Sequence, residues 1–164
     1  MTDPARRYEE DWYAWTREQA ALLRRWPQEL RPNALDLEHI AEEIEDLGKE
    51  ELHAVEGMLI RLIEHLLKLE LHPETRPTKH WRKEADALRV GLGRRLDRRR
   101  APTLWSRRAA IYADVWADAA RLFAKDLEAD GLPRPGDVSA PRYDLDAEVL
   151  NPDWYPAART DRVA

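Results

Sequence analysis

Residues 36–72 constrain this chain more than any other stretch. No proline interrupts them, and apolar residues recur at helical spacing from end to end. At about 100° per residue, Leu37, Ala41, Ile44, Leu47, Val55, Met58, Leu59, Leu62, Leu66 and Leu69 fall on one stripe, which predicts one long amphipathic helix. Asp36 is the expected N-cap, with Glu38 in the first turn where a carboxylate suits the helix dipole. Two features of the stripe are unusual. Glu51 falls inside it, and a carboxylate facing a core is costly unless paired or coordinated. Gly48 also lies on it, where the missing side chain lets another element come close, and His65 sits at its edge.

Prolines mark the other boundaries, because a proline inside a helix costs about 3 kcal/mol. Pro27 and Pro32, Pro73 and Pro77, Pro102, then Pro133 and Pro135 leave four segments with helical apolar spacing. The first, about residues 8–26, carries Tyr8, Trp12, Trp15, Leu22 and Trp26. The second is the long helix of residues 36–72. The third, Thr78 to about Arg99, carries Trp81, Ala85, Leu88, Leu92 and Leu96. The fourth, from near Thr103 to Asp130, carries Trp105, Tyr112, Trp116, Ala119, Phe123 and Leu127 and should stop at Gly131 before Pro133. Short connections favour antiparallel neighbours. The expected fold is all-α: a helical bundle of about four main helices in a single domain over residues 1–164, with its core about 8–130. Residues 131–164 form an irregular Pro-rich tail, with one short helical turn at 144–150 and Trp154 and Tyr155 available to dock it.

Seven tryptophans and 43% apolar residues are enough for a real core despite 36% charged residues. There is no cysteine, hence no disulfide or thiolate chemistry. The first residues lack the apolar core of a signal peptide, and no apolar run is long enough to span a membrane, so a cytoplasmic location is expected.

The net charge of −5 conceals a polarity. Between Asp36 and Glu56 nine acids face Lys49 alone, whereas between Arg76 and Arg108 twelve bases face Glu84, Asp86 and Asp97. Arg94–Arg100 would be the centre of a nucleic-acid surface. The acidic total and the lack of aromatics among those arginines argue instead that the basic third segment packs beside the acidic second.

The candidate binding residues are Glu42, Glu45, Glu51, His65 and Trp81. Glu42 and Glu45, with Glu38, line one flank of the stripe, placed to hold a divalent cation or to pair with arginines of a neighbouring helix. Glu51 and His65 are fourteen residues apart, about 21 Å along a helix, too far to share a ligand. Glu51 is therefore expected to accept a bidentate bond from an arginine of the third segment or to ligate a metal. His65 is expected to donate to a carbonyl or carboxylate. Trp81, after His80 and close to His72, is read as a core anchor. Glu50 and His53 have the Glu-x-x-His spacing of di-metal bundles, but point away from the stripe and have no second copy.

The runs YEEDWYAWTREQAALLR (Tyr8–Arg24), LEHIAEEIEDLGKEE (Leu37–Glu51) and HLLK (His65–Lys68), with Trp81, resemble the bacterial domain of unknown function 29 family over about residues 8–155. Leu69 and His80 depart from that family's usual aromatic and serine. The resemblance implies a small, soluble, all-helical bacterial protein and brings no cofactor or catalytic residue with it.

Together these features favour a non-enzymatic module that binds a protein partner or itself, without a cofactor. The alternatives are a metal- or small-ligand-binding bundle, hydrolase included, built on the second-helix carboxylates, and a nucleic-acid or toxin-neutralising protein acting through Arg94–Arg100.

Overall fold

Where the chain turns follows from its caps. A computed structural model describes residues 3–72 and 77–159. The chain is all-α: α1 (Pro4–Glu10), α2 (Trp12–Arg24), a 3-10 turn (Gln28–Leu30), α3 (Leu37–Leu71), α4 (Thr78–Arg95), α5 (Pro102–Ala129) and one wide turn (Leu145–Val149), with no strand among the described residues. Asp36 caps α3 by accepting from the His39 N–H at 3.3 Å. Gly131, at φ 70°, ends α5: its N–H reaches Glu128 O at 3.1 Å and that of Leu132 reaches Leu127 O at 2.8 Å. α4 stops at Arg95, a turn earlier than the spacing predicts. Asp97 accounts for this, because its carboxylate accepts from the N–H groups of Arg99 (2.7 Å) and Arg100 (3.2 Å) and turns the chain. No helix among the described residues is long and apolar enough to cross a membrane.

The residues group into two compact units, Met1–Val55 with Arg95–Arg107, and Glu56–Arg94 with Arg108–Ala164. In the first unit, the expected single helix over residues 8–26 is two helices. The chain breaks at Asp11 (φ −157°, ψ 76°), whose side chain caps α2 through the Ala14 N–H at 3.2 Å. The buried face of α2 is also not the predicted one. Tyr13, Ala14, Thr16 and Ala20 are buried, while Leu22 and Trp26 are exposed and Trp12 and Trp15 are half-buried. The cause lies on α3. A Cβ on Gly48 would come within 2.2 Å of Thr16 Oγ1, so α2 approaches there closely enough that only small residues fit.

That approach also sets the phase of α3. Leu37, Ala41, Gly48 and Val55 are buried, and Leu47, about 100° round the helix from Gly48, is 47% exposed rather than in the core. Glu51 lies on the flank of this face, half-exposed, rather than inside it.

In the second unit the later part of α3 is buried more completely, with Leu59, Leu62, Ile63, Leu66 and Leu67 sealed from solvent. Ala85 and Leu92 of α4 and Trp116, Ala119 and Phe123 of α5 are equally inaccessible. The tail is tied to this unit by hydrogen bonds to its backbone. Trp116 Nε1 donates to Val138 O (2.8 Å) and Tyr112 Oη to Tyr143 O (2.8 Å). Buried Arg89 donates from Nε to Val149 O (2.9 Å) and from Nη2 to Glu148 O (3.2 Å) and Trp154 O (2.8 Å). Tyr143 donates to the Glu70 carboxylate (2.5 Å), which also meets Arg142 at 3.0 Å. Tyr155 stacks under the Arg82 and Arg89 guanidinium groups and donates to Asp86. The wide turn is closed by Val149 N–H to Asp144 O (2.9 Å) and Leu150 N–H to Leu145 O (2.9 Å), five residues apart.

The α2–α3 approach makes a stability prediction. Gly48→Ala should destabilise the chain by about 1–3 kcal/mol through overpacking against Thr16, although alanine is the better helix former by about 1 kcal/mol. Adding Thr16→Ala should restore most of the loss in urea unfolding. A Gly48→Ala protein more stable than the parent would contradict the close approach.

Candidate functional site

The first unit exposes apolar surface that its own core does not use. Tyr8 is the last aromatic of α1, and the break at Asp11 folds α1 back so that its ring meets two tryptophans of α2. Tyr8 stands edge-on to Trp12 (5.0 Å between centroids, 88°) and to Trp15 (4.9 Å, 87°). Trp12 and Trp15 stack on each other at 5.3 Å and 17°. Pairs of this geometry are worth about 0.5–1.5 kcal/mol beyond their burial, so the three rings hold one another in place. Tyr8 nevertheless remains 50% exposed.

Trp12 continues this surface onto α3. With Leu47, Glu50, Glu51, Ala54 and Arg95 it lines an open depression of about 380 Å³. Glu43, Leu47, Glu50 and Ala54 recur every three or four residues and share one face, with exposed Ile40 a turn before them. Glu43 and Glu50 are exposed and have no ion pair among the described residues. The result is an apolar strip with unneutralised carboxylates beside it.

The predicted acidic residues divide by partner. Glu51 accepts from Arg95 Nη1 at 2.5 Å, through one oxygen rather than the bidentate bond expected, with both side chains part-exposed. Such a pair contributes at most about 1 kcal/mol. Glu45 receives Arg24 Nη2 at 3.0 Å and Lys49 Nζ at 3.7 Å, while Arg24 Nε reaches Glu38 at 3.5 Å. The Arg24 hydrogen bond holds the Glu45 carboxyl below its usual range. Glu42 is exposed without an ion pair among the described residues, and Glu50 and His53 are exposed as well. No three His, Cys, Asp or Glu side chains among the described residues are grouped to hold a metal ion. Sequence spacing marked Trp12 and Leu47 as core, so it missed the surface they form. The available signal was Gly48, which fixes which side of α3 is covered.

Comparison with known proteins adds a family and a fold. The family model described as "Domain of unknown function DUF29" matches residues 7–155. The chain is similar to a crystal structure of an alpha-helical protein of unknown function from Rhodospirillum rubrum, with 29% sequence identity, 90% of each chain covered and a TM-score of 0.70. No curated protein matches it.

His65 and Trp81 belong to the second unit. Trp81 is buried, with its ring edge-on to His72 at 5.0 Å. His65 does not make the hydrogen bond expected of it. It is 5% exposed, and neither ring nitrogen has a partner among the described residues. Burial, reinforced by the charges of Lys68, Arg61 and His80 and opposed by Glu84, lowers its pKa to about 4. Lys68 is held by Glu64 at 2.8 Å and by Asp126, a pairing that keeps the cation one turn from the ring. The unfolded chain takes up the proton near pH 6.5 and the folded one only near 4. His65 thus stabilises the fold fully above about pH 6.5, and this contribution is lost as the pH falls, reaching about 3 kcal/mol by pH 4. Urea unfolding from pH 7 to 4 should show His65→Met losing markedly less stability than the parent. Parallel curves would mean that the imidazole is solvated or partnered.

Proposed function

The chain belongs to the family described as Domain of unknown function DUF29, and we propose that it is a protein-binding module whose first unit receives an apolar, basic segment of a partner protein. The carrying observation is the patch of Tyr8, Trp12 and Leu47 beside Glu43 and Glu50. Aromatic rings already fixed against one another lose little conformational freedom on binding, which is what makes such groups effective anchors. The depression beside Trp12 takes an apolar side chain of the partner. Lysine or arginine on either side of that side chain meets Glu43 and Glu50, which lie two turns apart on α3. Glu51 plays a different part: its charge is already taken by Arg95, so it borders the patch without attracting a base.

Selection of a random peptide library on the immobilised full chain tests this reading. The expected peptides carry an apolar residue flanked by lysine or arginine. Their affinity should fall by about tenfold or more for Leu47→Lys and for Glu50→Lys. Leu47 and Glu50 are exposed, so both variants should melt with the parent. Peptides that bind the variants as tightly as the parent, or no enrichment at all, would overturn the assignment. A dimer in sedimentation that Leu47→Lys abolishes would replace the foreign partner with a second copy.

A further inference from the structure

We infer that a second site in the first unit, the cleft bounded by Tyr13, Arg17, Lys49 and Arg107, binds the phosphate group of a small organic phosphate. It is separate from the aromatic patch and does not depend on it. The cleft holds about 250 Å³ and is lined by Tyr13, Arg17, Glu45, Lys49 and Arg107. Of its three cations Lys49 is already paired, with Asp46 at 2.8 Å and Glu45 at 3.7 Å, and Glu45 also holds Arg24 at 3.0 Å, so the surplus charge of the cleft is that of Arg17 and Arg107.

The two arginines are the informative residues. The guanidinium carbons of Arg17 and Arg107 each lie 5.8 Å from the Tyr13 ring centroid. Neither has a carboxylate partner among the described residues, in a chain where most of the neighbouring charges are paired. Arg107 Nη1 donates to Tyr13 Oη at 2.6 Å. Tyr13 is 5% exposed, and its own hydroxyl hydrogen has no acceptor among the described residues. A buried phenol that accepts without donating, between two exposed arginines without a carboxylate partner among the described residues, leaves N–H and O–H donors converging on one cleft with capacity for an anion.

A phosphate group supplies what is missing. Guanidinium forks match its oxygens, and a phosphate has more acceptor oxygens than a carboxylate, enough for two arginines and the phenol together. The cleft is larger than the group itself, equal to the liquid volume of about eight waters. An adjoining depression of about 440 Å³ shares Arg17 and Glu45 and continues past Ala14, Ala21, Arg24, Thr103 and Glu18, whose charge Arg7 holds at 3.0 Å. The organic part of the ligand lies there, against a wall of mixed polar and apolar groups.

The test is an NMR titration of the full chain with glycerol 3-phosphate at low salt, following the arginine Nε–H signals and the amides of residues 13–17 and 103–107. Saturable shifts with a dissociation constant of about 1 mM or tighter are expected. Arg17→Gln should weaken binding by about tenfold without moving the melting temperature, because Arg17 is exposed and bears no structural hydrogen bond among the described residues. Tyr13→Phe, which keeps the ring, should weaken it by about threefold or more. No shifts up to about 20 mM, or shifts unchanged in Arg17→Gln, would overturn the site. Succinate binding as tightly as glycerol 3-phosphate would overturn the phosphate assignment, and binding by glycerol itself would show that the charge is not recognised.

Discussion

The first unit hangs on one buried carboxylate. Asp11 is 1% exposed and accepts three hydrogen bonds, from Ala14 N–H at 3.2 Å, Thr103 N–H at 3.1 Å and Thr103 Oγ1 at 2.6 Å. The first caps α2, a bond worth about 1 kcal/mol. The other two fasten the first turn of α5 to the start of α2, and hydrogen bonds to a charged group are worth about 1.5–3 kcal/mol each. The register they set extends further. Two residues beyond Asp11 is Tyr13, and one turn beyond Thr103 is Arg107, so the second pair meets because the first is fixed. The break at Asp11 also turns α1 back, bringing Tyr8 onto Trp12 and Trp15.

The course of the three long helices was legible because their ends, the C-terminal end of α4 apart, are written in residues with few alternatives. Prolines exclude the helix, Asp36 caps it, and Gly131 accepts a backbone that other residues resist. The break between α1 and α2 was not legible, since it contains neither proline nor glycine and Asp11 is one more acid in the run of residues 9–11. Its meaning depends on Thr103, 92 positions away.

The candidate surface was misread for a related reason. An apolar stripe selects the largest side chains, whereas a close helix approach selects the smallest. Thr16 is therefore the residue of α2 that meets Gly48, Ala20 is buried on the same helix, and Trp12 and Leu47 are left at the surface. Glu51 stands out as a charged residue on an apolar stripe, and Arg89, between Ala85 and Leu92 on the buried face of α4, fits that pattern better. Of these two charged residues Arg89 is the buried one, with Asp86 one turn before it at 3.7 Å. Beside that carboxylate, the hydrogen-bond partners of Arg89 are carbonyl oxygens, which leave no trace in a sequence.

That choice of partner bears on how the tail can change. Arg89 holds it at the carbonyls of residues 148, 149 and 154, a group that every amino acid supplies. At those points the guanidinium measures the length of the chain and is indifferent to the letters along it. Many substitutions between Val149 and Trp154 can accumulate while the route stays the same. One inserted residue between them would slide the Trp154 carbonyl away and cost the buried guanidinium one of its three carbonyl bonds. Along this strap, spacing is the quantity under constraint and composition is free to drift.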